Sequence, residues 1–281
     1  MIKIIGYGAV TQYATDVTEL QEMFYAKKLN IQKGCSNEID FEFFDPQLLV
    51  KCYKMDDTCK YILEAVRQAL IISKLNINEY RDKSKIGVIV ASETGLSGIQ
   101  RKYMNVLNNT GKTSSILFRQ SAHNLMSSII SYYYGITGFN TTIFGEKNVS
   151  YDALELGMQL LQADISDIMI IVSANSIRNN IDVANGGAFA LILKRTNEQC
   201  GKNIREHNEL FIDKYHVLNL KLNKYADWFE DAYRNIYEKS RNDGSIFVII
   251  LFLMYNISEI IYDQNRRSLK VLNYNSKEMD I

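Results

Sequence analysis

The segment from Gly138 to Gly157 constrains the fold more than any other part of the chain. Phe139 to Phe144 is a short apolar-rich run, Gly145 to Asn148 is a turn, and Leu154, Met158 and Leu161 then recur at helical spacing. A strand that passes through a tight turn into a helix aims its connecting residues at the helix N-terminus. Free backbone N–H groups and the helix dipole favour an anion there, which is why thiolates and bound oxyanions occupy such junctions. The connecting residues here are Glu146 and Lys147, and neither is a nucleophile suited to acyl transfer.

The remaining pattern alternates strands and helices. Ile2 to Ile5 reads as a buried strand, with Gly6-Tyr7-Gly8-Ala9-Val10-Thr11 turning out of it. Asp16 with Glu19 reads as the N-cap pair of a helix running to Lys28, with Leu20, Met23 and Phe24 inward. Thr58 to Leu75 carries Ile62, Ala65, Val66, Ala69 and Leu70 at helical spacing. Lys85 to Ser92 is a β-branched run of the kind found in parallel strands buried on both faces, followed by the glycine loop Glu93 to Gly98. Asp167 to Ser173 and Gly186 to Leu193 are two further strands. Past Thr196 the character changes: a polar stretch precedes an amphipathic helix over Ala226 to Lys239, a more apolar helix over Ile246 to Ile261, and a closing strand over Leu269 to Leu272.

Composition excludes several function classes. The 32 basic and 32 acidic residues cancel, so no bulk field draws nucleic acid or a membrane surface. The hydrophobic share of 47% is ample for a large core. Cys35, Cys52, Cys59 and Cys200 lack CxxC spacing, and with only three histidines neither a zinc site nor a disulfide scaffold is indicated. The thiols read as reduced and the start of the chain shows no signal peptide, so a cytoplasmic protein is expected. The apolar run Ile246 to Tyr255 falls short of a membrane span and is expected to be buried or to dock, with an anchor as the weaker reading. Gly6-Tyr7-Gly8 lacks the third glycine of a dinucleotide fingerprint, and Gly111-Lys112-Thr113 lacks the first glycine of a P-loop, where Val106 stands. No cofactor and no metal are expected.

Gly138 to Gly157, followed by Asp167 to Val172, resembles the active-site region of β-ketoacyl synthases. Gly6-Tyr7-Gly8-Ala9-Val10-Thr11 is similar to their opening strand, and Gly186-Gly187-Ala188 to their strand closing the first half. The resemblance implies a thiolase-like α/β fold. Its N-terminal half, residues 1–195, would be a mostly parallel five-stranded sheet with helices on both faces, and residues 196–281 a truncated, divergent C-terminal region packing on it. Lys147 falls where that family's nucleophilic cysteine would sit, and the two histidine motifs of its second half do not occur. Glu146-Lys147 with Asp152-Ala153-Leu154 is closer to the chain-length factors, catalytically silent partners of type II ketosynthases, although these typically carry Gln where Lys147 stands.

The resemblance therefore implies no catalytic residue. It implies a heterodimer or heterotetramer with a cysteine-bearing ketosynthase, contact with an acyl carrier protein through that complex, and a role in extending a polyketide or aryl polyene. Phe139 to Phe144 would be the pairing edge. Phe118, Met126, Tyr132, Tyr133, Phe139, Phe144 and Glu146 would be tunnel or interface residues, each of which could equally be core packing. Two other readings stay open. Lys147, as a Schiff-base amine, or His123, as a general base, could serve a lyase, hydrolase or decarboxylase acting on acyl thioesters; a Glu146–Lys147 ion pair and a packing histidine are the plainer states. A homodimeric acyl-binding scaffold is the third.

Overall fold

The computed structural model describes residues 2–11, 14–20, 55–145, 149–176, 187–195, 211–212, 259–263, 268–272 and 279–280. Within them, strands β1 (Ile2–Thr11), β2 (Ile86–Ser92), β3 (Asn140–Phe144), β4 (Ile168–Asn175), β5 (Gly187–Arg195) and β6 (Phe211–Ile212) form one six-stranded sheet in the order β3-β2-β4-β5-β1-β6. The helices are α1 (Asp57–Ser73), α2 (Ser97–Thr110), α3 (Ser115–Gln120), α4 (Leu125–Tyr134) and α5 (Val149–Gln162). Strands β7 (Glu259–Asp263), β8 (Ser268–Leu272) and β9 (Met279–Asp280) form a separate antiparallel sheet.

The chain has the α/β fold expected, with one correction to its sheet. Only β2 with β3 and β2 with β4 are parallel, whereas β4 with β5, β5 with β1 and β1 with β6 are antiparallel, so the sheet is mixed. A parallel neighbour needs a crossover long enough to run back along the sheet. β2 reaches β3 through α2 to α4, and β3 reaches β4 through α5, whereas the link from β4 to β5 carries no described helix and the strands can run antiparallel.

Alternation along the strands splits the core into two layers. Val88 and Val90 of β2, with Ile168, Ile170 and Val172 of β4, face α1 and α4 and pack with Ile62, Val66, Met126 and Ile129. Ile89 and Ala91, with Met169 and Ile171, face α5 and pack with Leu154, Met158 and Leu161, the inward positions expected from spacing.

Two further expectations are corrected by packing. Gly6 to Thr11 is not a turn but the continuation of β1, with an irregularity in its pairing between Ile4 and Gly6. A Cβ on Gly6 would stand 2.2 Å from the carbonyl oxygen of Ala69, and one on Gly8 would stand 2.1 Å from that of Ala65. The two glycines let α1 lie directly on the strand, and this close approach explains the Gly-x-Gly pattern without a nucleotide. The apolar helix expected over Ile246 to Ile261 is contradicted at its end: Glu259, Ile260 and Ile261 belong to β7 and pair with Leu272, Val271 and Lys270. β-branched residues suit that ladder, and periodicity alone does not separate a short apolar strand from a buried helix. Residues 246–258, and the helix expected over Ala226 to Lys239, lie outside the described residues. The strand expected at Leu269 to Leu272 is β8.

Local chemistry explains the helix starts. The Asp56 side chain accepts from Thr58 N at 3.0 Å and caps α1. Asp16 accepts from Glu19 N at 2.8 Å, and a helix begins at Val17 as expected; its described part ends at Leu20. α1 is latched to β1 by Gln68, which donates to Thr15 O at 2.7 Å and accepts from Ala9 N at 3.2 Å. Beside it the buried Glu64 carboxylate takes two 2.7 Å hydrogen bonds from Arg67, so its charge is paired.

Candidate functional site

The site lies at the carboxyl ends of the three parallel strands, where Ser92, Phe144 and Asn175 are the last residues of β2, β3 and β4. The connection from β2 runs over one face of the sheet and that from β3 over the other. The chain therefore diverges at this end, the place where open α/β sheets form ligand crevices.

At the junction, Gly145 N donates to Ser92 O at 3.4 Å, and α5 begins at Val149. Ser150 and Ser173, both fully buried, join their hydroxyls at 2.8 Å and fasten the first turn of α5 to β4. Glu146, Lys147 and Asn148 connect the two elements along the chain and lie outside the described residues.

Above the end of β2, Asn175 acts as a clamp. Its side-chain oxygen accepts from Ser92 Oγ (3.2 Å), Glu93 N (2.9 Å), Thr94 N (3.2 Å) and Thr94 Oγ1 (3.4 Å). Thr94 Oγ1 in turn accepts from Ser176 N at 2.8 Å, and the Ser176 and Ser97 hydroxyls lie 2.7 Å apart. Gly95, whose N–H donates to Ser92 Oγ at 2.8 Å, sits in the left-handed region at φ 56°. A Cβ there would come within 2.8 Å of both His123 Nδ1 and Phe144 Cε1.

The His123 and Phe144 rings are in contact, with centroids 4.2 Å apart at 51°. Gln100 Nε2 donates to Ser121 O at 3.3 Å, which orients the amide, so His123 Nε2, 3.0 Å away, is the acceptor and the ring proton belongs on Nδ1. His123 hydrogen-bonds to no serine, cysteine or carboxylate among the described residues. Sequence reasoning placed no other residue beside it; the structure adds Gln100 and Phe144.

Among the described residues β3 is an edge of the six-stranded sheet. Asn140 and Thr142 bind it to α4 through Ser127, by hydrogen bonds of 2.7 Å from Ser127 Oγ to Asn140 Oδ1 and 2.8 Å from Thr142 Oγ1 to Ser127 Oγ. The other candidates scatter. Phe118 is 64% exposed and Tyr132 81% exposed, Met126 is wholly buried in the core, and Tyr133 packs partly against the same core. Phe139 packs partly against the opposite layer, and Phe144 is 38% exposed. Cys59 is buried, and the other three cysteines lie outside the described residues. Among the described residues no group of three His, Cys, Asp or Glu side chains could hold a metal ion, and no helix is long and apolar enough to cross a membrane.

Asn175, Thr94, Gln100 and Ser127 were not singled out from the sequence. Their signal, polar side chains at strand ends and helix starts, is shared with ordinary turns.

The family model of the beta-ketoacyl synthase N-terminal domain matches residues 6–203. The chain belongs to the beta-ketoacyl synthase family. It is 24% identical over 148 residues to "Polyketide synthase 37" of Dictyostelium discoideum, an alignment spanning 52% of this chain and 5% of that protein. Among solved structures, the fold is shared with a type II polyketide ketosynthase complexed with its acyl carrier protein (TM-score 0.58, 16% identity, 69% of this chain and 62% of that one). It is shared also with the ishigamide ketosynthase/chain length factor (TM-score 0.54, 16% identity, 69% and 62%). A third is a ketosynthase in complex with its chain length factor from Xenorhabdus doucetiae (TM-score 0.55, 13% identity, 69% and 79%). The chain thus spans a small fraction of the Dictyostelium protein and just under two thirds of the first two solved chains.

Proposed function

We propose that this ketosynthase-family chain is a non-catalytic chain-length factor. It heterodimerises with a cysteine-bearing ketosynthase in the cytoplasm and shapes the acyl tunnel during type II polyketide or aryl-polyene elongation. The feature of the sequence that carries this reading is Lys147, which by the resemblance falls where the family's nucleophilic cysteine would sit. Decarboxylative condensation needs a thiolate to hold the acyl chain and imidazoles to stabilise the enolate. An alkylammonium beside Glu146 supplies neither.

Three further features support the reading. Among the described residues β3 is an edge of the sheet, with half-buried Thr141, Thr142 and Ile143 and an exposed Phe144, which suits pairing with a companion strand. The described part of the site is walled by hydroxyls, amides, the Phe144 ring and the His123 imidazole, which has no serine, cysteine or carboxylate partner among the described residues. From Thr94 to Gly145 the chain has no Asp or Glu, while Arg101, Lys102, Lys112 and Arg119 are exposed and form no ion pair among the described residues. That face complements an acidic acyl carrier protein brought by the complex. In this proposal residues 1–195 carry the docking edge and residues 196–281 the shortened remainder.

Expression with and without a cysteine-bearing type II ketosynthase from the same genome is the test. Co-purification as a stoichiometric pair, with poor solubility alone, is expected; a monodisperse monomer that ignores the ketosynthase overturns the proposal. Loss of all turnover in Lys147→Ala would instead favour an acyl-thioester lyase, hydrolase or decarboxylase, and a twofold homodimer an acyl-binding scaffold.

A further inference from the structure

A contiguous set of contacts runs from the end of β4 to the junction. Asn175 holds the Glu93–Leu96 turn by three bonds from Glu93 N, Thr94 N and Thr94 Oγ1, all to one oxygen, and by a fourth from Ser92 Oγ, which itself accepts from Gly95 N. The turn thereby fixes Gly95, and Gly95 has no slack: at φ 56° its α-carbon abuts His123 and Phe144 so closely that a methyl group would overlap both rings. The rings lean on one another, and Phe144 immediately precedes Gly145, whose N–H is tied to Ser92 O. Asn175 is 5% exposed and Ser92 fully buried, so water does not compete for this clamp. An oxygen that receives four donors at the end of a buried strand is more than a strand terminus needs: Asn175 pairs with Gly187 of β5, and its side chain takes up the side that β2, whose pairing with β4 ends at Ser173, leaves open.

We propose that Asn175 is a positioning residue: through the Glu93–Leu96 turn it sets where His123 and Phe144 stand, and so how much room their rings leave for an acyl chain at the carboxyl ends of β2 and β3. The inference rests on the chain-length reading above and adds to it the residue that determines specificity without touching substrate. The donors all meet the side-chain oxygen, so a carboxylate replaces the amide in this role and a methyl group does not. Loss of the clamp frees the turn, the two rings move, and the wall no longer holds one position.

The test uses the co-purified complex with its ketosynthase, carrying 4-fluorophenylalanine at position 144 as a single fluorine reporter. Asn175→Ala is expected to shift or broaden the fluorine resonance and to change the distribution of product chain lengths, with total product falling by less than the distribution changes. Asn175→Asp is expected to restore both. Gly95→Ala, which pushes on the same rings from the turn, is expected to reproduce the Asn175→Ala spectrum and products, and a thermal melt of each complex confirms that it is folded. An unmoved fluorine resonance in folded Asn175→Ala overturns the proposal. So does an unchanged product distribution when Phe144→Ala alters it. If Phe144→Ala leaves the products unchanged as well, the chain-length reading itself fails, and the fluorine spectrum still reports whether the clamp positions the ring.

Discussion

Ser127 of α4 and Asn140 of β3 exchange hydrogen bonds in both directions: the Ser127 hydroxyl donates to Asn140 Oδ1 at 2.7 Å, and Asn140 Nδ2 donates to the Ser127 carbonyl at 3.1 Å. The pair anchors an edge strand that has a sheet neighbour on one side only. Ser127→Ala removes the hydroxyl from Asn140 and from Thr142 together and is expected to destabilise the chain by about 1–2 kcal/mol. Urea unfolding of the complex and of the variant checks this, and a change below a few tenths of that value would mean that water replaces the pair.

The pairing edge can be tested without breaking the sheet. Phe139 O accepts from Val88 N and Gly145 N donates to Ser92 O, so the odd-numbered residues of β3 bond to β2 and the even-numbered ones direct their backbone groups away from it. Thr142→Pro therefore removes an outward N–H while sparing the β2 ladder. Ketosynthase binding is expected to weaken by about tenfold or more, with Thr142→Ala as the control for the lost hydroxyl. Unchanged pull-down yield for Thr142→Pro would rule out strand pairing at β3.

Gly8→Ala addresses the close packing of β1 on α1. The added methyl would lie 2.1 Å from the Ala65 carbonyl oxygen, and a backbone atom cannot swing aside. The substitution is expected to cost at least about 3 kcal/mol, at or beyond the upper end of overpacking penalties. A thermal melt of the purified protein measures it.

Lys147→Ala is expected to leave most of the turnover of the complex intact and to act, if at all, on product length. Radiolabelled malonyl incorporation followed by chromatography separates rate from length.

Tyr80 is expected to contribute to the alkaline limit of stability, above pH 10.0. Burial, and then the Asp167 carboxylate 3.5 Å from its hydroxyl, hold the phenol above its ordinary value of 10.0. The fold favours the protonated phenol, so this contribution is complete below pH 10.0 and is lost as the pH rises through the folded value. Tyr80→Phe is expected to flatten the alkaline limb of a denaturation profile above pH 10.0; an unchanged limb would assign the sensitivity elsewhere.

Much was legible along the chain. Spacing located α1 and α5 and the inward positions of α5, and the β-branched run Lys85 to Ser92 announced a strand buried between two parallel neighbours, because burial on one or both faces imposes a period that local sequence must obey. The place of Lys147 was read by resemblance alone, and residues 146–148 lie outside the described residues. Three things were decided only in tertiary structure. The antiparallel direction of β1 and β5 depends on how the connections run, which the apolar pattern of a strand does not encode. The role of Gly6 and Gly8 depends on a helix more than fifty positions further along, whose carbonyls occupy the space a side chain would take. The meeting of Asn175, Gly95, His123 and Phe144 joins four elements far apart in sequence, and a hydrogen bond or a ring contact depends on distance in space, which composition and periodicity leave unspecified.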